Sequence, residues 1–310
     1  LKQITAFLRL IRWPNLLFIA LTQILFVYCI VKPLYVAAGK VPVVHGKTFF
    51  LLCLSSVLVA AAGYIINDYF DLNIDRINKP EKLVVEKIIP RRWTIVLHLA
   101  LSAVGILIGF YIDFTTPILF LGLANAACVL FLFVYSISLK KKLLAGNILI
   151  SLLTAWVVLV ITWCEVVSFP HIRGVDIAKL SRYTFLYAGF AFIISIIREV
   201  IKDMEDIEGD RKYGCTTMPI VWGVHASKIF VAVWLVVLIG ILTMLQFYVL
   251  AFKWWVSAVY CIVFIIAPLI NILRDLFKAN APKDFHRLST LVKLVMFTGI
   301  LSIIFIKFYS

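Results

Sequence analysis

The chain has 310 residues, of which 63% are hydrophobic and 15% charged, and it carries a net charge of +14. That composition, with a mean hydropathy of +1.04, excludes an ordinary soluble domain and indicates a polytopic membrane protein. The positive charge does not indicate nucleic acid, because the basic residues flank apolar runs and no aromatic or Gly-rich RNA module accompanies them.

A hydrocarbon core of about 30 Å takes about 20 apolar residues per helix. Runs of that size recur at 16–34, 48–66, 94–111, 114–137, 146–168, 183–201, 228–250, 254–273 and 288–308. The predicted fold is therefore all-α, a bundle of nine transmembrane helices around a central cavity. It forms a single membrane-embedded domain over 1–310 with two pseudo-symmetric halves, about 1–145 and 146–310. Ahead of the first run, Lys2, Arg9 and Arg12 alternate with apolar residues before Pro14. The pattern predicts an interfacial helix rather than a signal peptide. Only Ile112 and Asp113 separate the third and fourth runs, which predicts a tight helical hairpin.

With the N-terminus inside, the inner segments hold close to three quarters of the 30 Lys and Arg residues. The positive-inside rule then puts the segments after the second and sixth runs on the cytoplasmic side of the cell membrane. Five of the six cysteines fall in predicted spans, with Cys215 in a loop and no CxxC spacing, so they read as packing residues. The five histidines show no ligand spacing.

The second run ends in NDYFDLNID. On a helix, Asn67, Asp71, Asp75 and Asp68 fall at about 0°, 40°, 80° and 100°, so one face presents an amide and three carboxylates. Acids beside a membrane core are costly, and an all-oxygen set of this kind suits Mg²⁺, which keeps part of its water shell and takes phosphate oxygens. An EF-hand does not fit, since Arg76 and Lys82 stand where that loop requires Gly and Glu. The cations Arg76, Lys79, Lys82, Lys87, Arg91 and Arg92 follow at once. Metal-holding acids beside phosphate-holding cations are what a diphosphate needs, because a leaving diphosphate gains negative charge. Arg76 and Lys82 are the candidate diphosphate contacts in this segment.

The sixth run ends in the same manner, in KDMEDIEGD. If one helix continues through it, Arg198, Glu199, Lys202, Asp203, Asp206 and Asp210 share a face about 140° wide. Asp203, Asp206 and Asp210 are candidate metal ligands, and Lys202 and Arg211 candidate diphosphate contacts. The recurrence suggests a weak internal repeat.

These residues resemble the UbiA superfamily of intramembrane prenyltransferases. Asn67, Asp68, Asp71 and Asp75 match its NDxxDxxxD signature, and Asp206 and Asp210 match its DxxxD signature, with Asp203 one turn earlier. The resemblance covers nearly the whole chain. It implies a cytoplasm-facing site in which two Mg²⁺ ions bridge the aspartates and a prenyl diphosphate, with Asp71, Asp75, Asp206 and Asp210 as the catalytic set. It also implies that Tyr135 and Lys140 approach the diphosphate and that Arg12 and Asn15 line the site. Ionisation of the donor gives an allylic cation, which the acceptor attacks.

The segment YSISLKKKLLAGN, residues 135–147, looks most like the branch that transfers geranylgeranyl groups to a glycerophosphate lipid precursor. Lys140, Lys141, Lys142, Arg211 and Lys212 are candidate cations for an acceptor phosphate, while Lys141 and Lys142 equally suit membrane-lipid headgroups. Geranylgeranyl diphosphate is the expected donor. An aromatic acceptor of quinone biosynthesis is the alternative. A membrane transporter is the non-enzyme alternative, against which stands the scarcity of charge at mid-span.

Overall fold

A computed structural model describes residues 2–78, 80, 83–169 and 171–309. Among the described residues the fold is all-helical, and eight helices are long and apolar enough to cross a membrane. A short amphipathic helix, α1 (Lys2–Leu10), comes first. The spans are α2 (Trp13–Ala37), α3 (Gly46–Asn78), α4 (Arg91–Thr115), α6 (Ala145–Val167), α7 (Ile177–Glu205), α10 (Gly223–Ala251), α11 (Trp255–Leu276) and α12 (Pro282–Phe308). A ninth apolar helix, α5 (Leu121–Ile137), has 17 residues. Two short helices, α8 (Ile207–Lys212) and α9 (Met218–Val221), lie between α7 and α10. The protein is thus an all-α integral membrane protein, with large apolar side chains such as Phe114, Phe185, Met244 and Phe247 left exposed. Lipid is the solvent that such a surface fits.

Proline sits in the first turn of α2, α9 and α12, where its missing N–H leaves no hydrogen bond unmade. The α4–α5 hairpin has a different local cause. Residues 112 and 113 remain in α4, and the reversal falls at 116–120, later than the break in hydropathy predicts. Asp113 makes that reversal: its two carboxylate oxygens accept the backbone N–H groups of Leu121 and Gly122, each at 2.9 Å. It thereby satisfies donors that a helix start leaves orphaned.

The chain divides into two compact units, residues 1–140 with 156–185, and residues 141–155 with 186–310. In the first unit, Ala6 and Leu10 of α1 pack with Ile65 and Leu72 of α3 and with Val84 and Val85. This cluster fixes α1 against the acid-bearing end of α3. In the second unit, a larger core joins α7, α10, α11 and α12 through Ile197, Ile201, Leu235, Leu269, Val292 and Val295.

Candidate active site

Helix α3 runs without interruption through Asn67, Asp68, Asp71 and Asp75, so these four share the face expected of them. The Asn67 amide donates to Asp71 Oδ2 at 2.7 Å, an i, i+4 contact along the helix. Lys140, in the turn Leu139–Lys141 that follows α5, forms an ion pair with Asp71 Oδ1. Both side chains are nearly closed off, each 12% exposed. Tyr135 lies in the last turn of α5.

Arg12 occupies the junction of α1 and α2 with φ of 51°, a left-handed conformation that costs a non-glycine residue about 1 kcal/mol. Its guanidinium donates to Asp68 Oδ1 at 2.7 Å and lies 5.1 Å from the ring centre of Tyr64. Desolvation is the largest single influence on the Arg12 charge and works against it, but Asp68, Tyr64 and Asp75 together outweigh it, so the guanidinium pKa stands above its ordinary value. Asn15 lies half-buried in the first turn of α2. The first acidic face is therefore interleaved with two cations, one from each side of α3 in sequence.

The side-chain amide oxygen Oδ1 of Asn67 is buried and has no hydrogen-bond partner among the described residues. Leaving such a group unmet is costly, and an oxygen of this kind is a ready ligand for a hard cation. Among the described residues no three His, Cys, Asp or Glu side chains are gathered closely enough to hold a metal by themselves. The donor chemistry fits Mg²⁺ in the form it prefers, with a few protein oxygens and the rest from water or phosphate.

Two further candidates from this segment stand differently. Arg76 pairs with Glu86 at 2.5 Å, and Arg91 joins the same carboxylate at 3.5 Å while stacking over Tyr69 at 4.8 Å. Lys82 lies outside the described residues. Glu86, which sequence reasoning passed over, thus ties together the Arg76 end of α3 and the Arg91 start of α4.

In the second unit, α7 ends at Glu205 and the chain turns at Asp206, which is the residue before α8. A single helical face through Asp210 is therefore not formed; only Arg198, Glu199, Lys202 and Asp203 share α7. The break falls at Asp206, and Gly209 is buried inside α8. Glu199 accepts from Arg198 at 3.0 Å and from Lys202 at 3.2 Å. Asp203 Oδ2 accepts from the amide of Asn147, in the first turn of α6, at 2.8 Å. Asp210 lies half-buried in α8, and its carbonyl accepts the Cys215 N–H. The loop beyond is tied down by Thr216, whose N–H and hydroxyl both donate to the Lys141 carbonyl. Arg211 lines a cavity of about 340 Å³ together with Glu205, Glu208 and Asn280.

Asn147 is the residue here that the sequence reading did not single out as a site. Its signal is a lone amide at the start of an apolar run, which periodicity does not flag.

A family model described as the UbiA prenyltransferase family matches residues 16–301. The digeranylgeranylglyceryl phosphate synthase of Methanothermobacter thermautotrophicus is 35% identical over 262 residues, covering 82% of this chain and 84% of its own. A solved structure of a digeranylgeranylglyceryl phosphate synthase matches with a TM-score of 0.59 at 23% identity, covering 98% of this chain and 99% of its own. A UbiA homolog from Archaeoglobus fulgidus bound to DMAPP and Mg²⁺ matches with a TM-score of 0.56 at 16% identity, covering 96% and 98%. The structural likenesses show a common fold, and the sequence matches show descent: the chain belongs to the UbiA prenyltransferase family.

Proposed function

We propose that this prenyltransferase moves a geranylgeranyl group from its diphosphate to a glycerol-phosphate lipid precursor, at the cytoplasmic face of the cell membrane, in a reaction that needs two Mg²⁺ ions. The observation that carries the reading is the end of α3, where Asn67, Asp68, Asp71 and Asp75 share a face with Arg12 and Lys140 held against it. Alternating anions and cations of this kind suit a metal-bound diphosphate and suit neither component alone. The glycerol-phosphate acceptor draws support from the 35%-identical relative and from the lysine run 140–142.

In this reading Asn67, Asp68, Asp71 and Asp75 hold metal in the first unit, and Asp203, Asp206 and Asp210 hold it in the second. Bound Mg²⁺ offsets the charge that the diphosphate gains as it leaves. Lys140 supplies a positive charge at Asp71, where it meets phosphate oxygens and adds to the same stabilisation. Arg12 fixes Asp68 and so keeps one edge of the acidic face in place. Tyr135, Lys202 and Arg211 complete the polar contacts to the donor, Asn15 lines the substrate side, and the apolar helix surfaces take the prenyl chain from lipid.

Pyrophosphate release by the purified protein tests the reading, using geranylgeranyl diphosphate, Mg²⁺ and a panel of geranylgeranylglycerol phosphate, hydroxybenzoates and naphthoates. Release should require Mg²⁺ and the glycerophosphate, and Asp71→Ala and Asp206→Ala should each lower it at least 100-fold, the scale on which loss of an electrostatic stabiliser acts, about 10²–10³. Release with a hydroxybenzoate instead would assign the aromatic acceptor. Wild-type turnover in both aspartate variants would sink the two-motif chemistry.

A further inference from the structure

A single sequence offset carries Asp68, Asp71 and Asp75 onto Asp203, Asp206 and Asp210, and the same offset carries Arg12 onto Asn147. Each member of the second pair makes the same kind of contact within its own unit. Arg12 donates to one carboxylate oxygen of Asp68 at 2.7 Å, and Asn147 donates to one carboxylate oxygen of Asp203 at 2.8 Å. In both cases the donor lies 56 residues before its aspartate. Arg12 immediately precedes α2, and Asn147 is the third residue of α6.

We propose that Asn147 is a positioning residue for the second acidic motif, holding one oxygen of Asp203 so that the other is presented in a fixed direction to a metal-bound diphosphate. The inference rests on the reading of Asp203 as a metal ligand. Three features support it. Asn147 is 7% exposed, so its amide is withdrawn from competition with water. Its backbone is locked, since the Asn147 carbonyl accepts the Ser151 hydroxyl at 2.7 Å inside α6. The first unit uses an amide for the same purpose, where Asn67 holds Asp71 Oδ2 at 2.7 Å. A carboxylate on a rotatable side chain loses orientational freedom when it binds a metal, and a partner that fixes it beforehand reduces that loss. A neutral amide does this without bringing a cation that competes for the site. The second motif thus receives its orienting donor from α6, whereas position 202, the counterpart of Asn67, is a lysine engaged with Glu199.

The test is a double-mutant cycle read by binding. Mn²⁺ is titrated by electron paramagnetic resonance against the purified full chain with inorganic pyrophosphate present, for the wild type, Asn147→Leu, Asp203→Ala and the double variant. Asn147→Leu should weaken Mn²⁺ binding about 10–100-fold, the usual range for losing a residue that orients a ligand. Asn147→Gln, which keeps the donor, should recover part of that loss. In the Asp203→Ala background, Asn147→Leu should add less than about twofold, because its effect passes through the carboxylate. If Asn147→Leu does not fold, Asn147→Ala takes its place in the cycle. Unchanged binding in Asn147→Leu, with Asp203→Ala weakened, overturns the positioning role alone. A full effect of Asn147→Leu in the Asp203→Ala background overturns it in favour of packing. Unchanged binding in Asp203→Ala overturns both this role and the reading of the second motif.

Discussion

Glu165 shows how much one buried side chain does away from the candidate site. It is fully buried near the end of α6, and its oxygens accept the Tyr35 hydroxyl at 2.6 Å and the backbone N–H groups of Val43 and Val44 at 3.1 and 2.8 Å. Three donors converge on one carboxylate, so Glu165 closes the connection between α2 and α3. Replacing one oxygen by an NH₂ group sets donor against donor, and a buried unmet donor costs about 1–3 kcal/mol. Glu165→Gln should therefore lower the melting temperature in detergent by several degrees. At a temperature where the variant is folded, turnover should persist, because Glu165 lies about 27 Å along the helix from Asn147 at a rise of about 1.5 Å per residue. An unchanged melting temperature would show that the carboxylate does not hold the connection. The sequence alone singles out the aspartates of α3 because acids beside an apolar run are conspicuous. It gives Glu165 no role and passes over Asn147 for one physical reason. Each is a solitary polar residue whose partners are distant in sequence, Tyr35 lying 130 residues from Glu165, and periodicity carries no information about such pairs.

At the scale of elements, close approach of backbones explains the α4–α5 hairpin. Gly105 and Gly109 form a GxxxG pattern on α4, and a Cβ at Gly109 would stand 2.8 Å from Gly122 Cα and 2.8 Å from Asn125 Nδ2. The Asn125 amide in turn donates to the Gly105 carbonyl at 3.0 Å. Small residues permit this contact, and in lipid the gain comes from packing and interhelical hydrogen bonds because the hydrophobic effect no longer separates helix from solvent. Gly109→Leu should push the two helices apart, lower the melting temperature and reduce the yield of monodisperse protein. Gly240→Ala is the control: nothing lies within 4 Å of a Cβ there, and alanine in a helix interior is favoured over glycine by about 1 kcal/mol. It should be neutral or stabilising, and equal damage by both variants would refute the contact argument. The hairpin was legible as two adjoining apolar runs, yet its turn was placed too early, since Asp113 reads as a break while it acts as a cap from within α4. The reverse occurs at Asp206. The residues from Arg198 to Asp206 are compatible with a continuing helix, and the chain turns at Asp206 nonetheless, so the interruption of the face before Asp210 was not recoverable from helical periodicity.

For the whole molecule, apolar runs of about 20 residues leave little freedom in secondary structure, because backbone groups in lipid must find partners within the same helix. That constraint made the span positions legible: among the described residues eight appear as long helices and the ninth as α5. Orientation depends on a different quantity, the distribution of Lys and Arg among the short connections. Lys142 and Lys278 lie in connections on the positively biased side, and Lys40 and Arg173 lie in connections on the other. All four are exposed, and the native cysteines are buried or partly buried. Single cysteines at these positions, in a background with the native cysteines replaced by alanine, therefore report sidedness. A membrane-impermeant maleimide added to intact cells stripped of their wall should label Lys40→Cys and Arg173→Cys. It should label Lys142→Cys and Lys278→Cys only after permeabilisation. The opposite pattern would place the acid-bearing ends of α3 and α7 outside. A prenyl diphosphate made on the cytoplasmic side would then have no access to Asp71 or Asp203 without its diphosphate first crossing the membrane, at the cost of burying several negative charges in hydrocarbon.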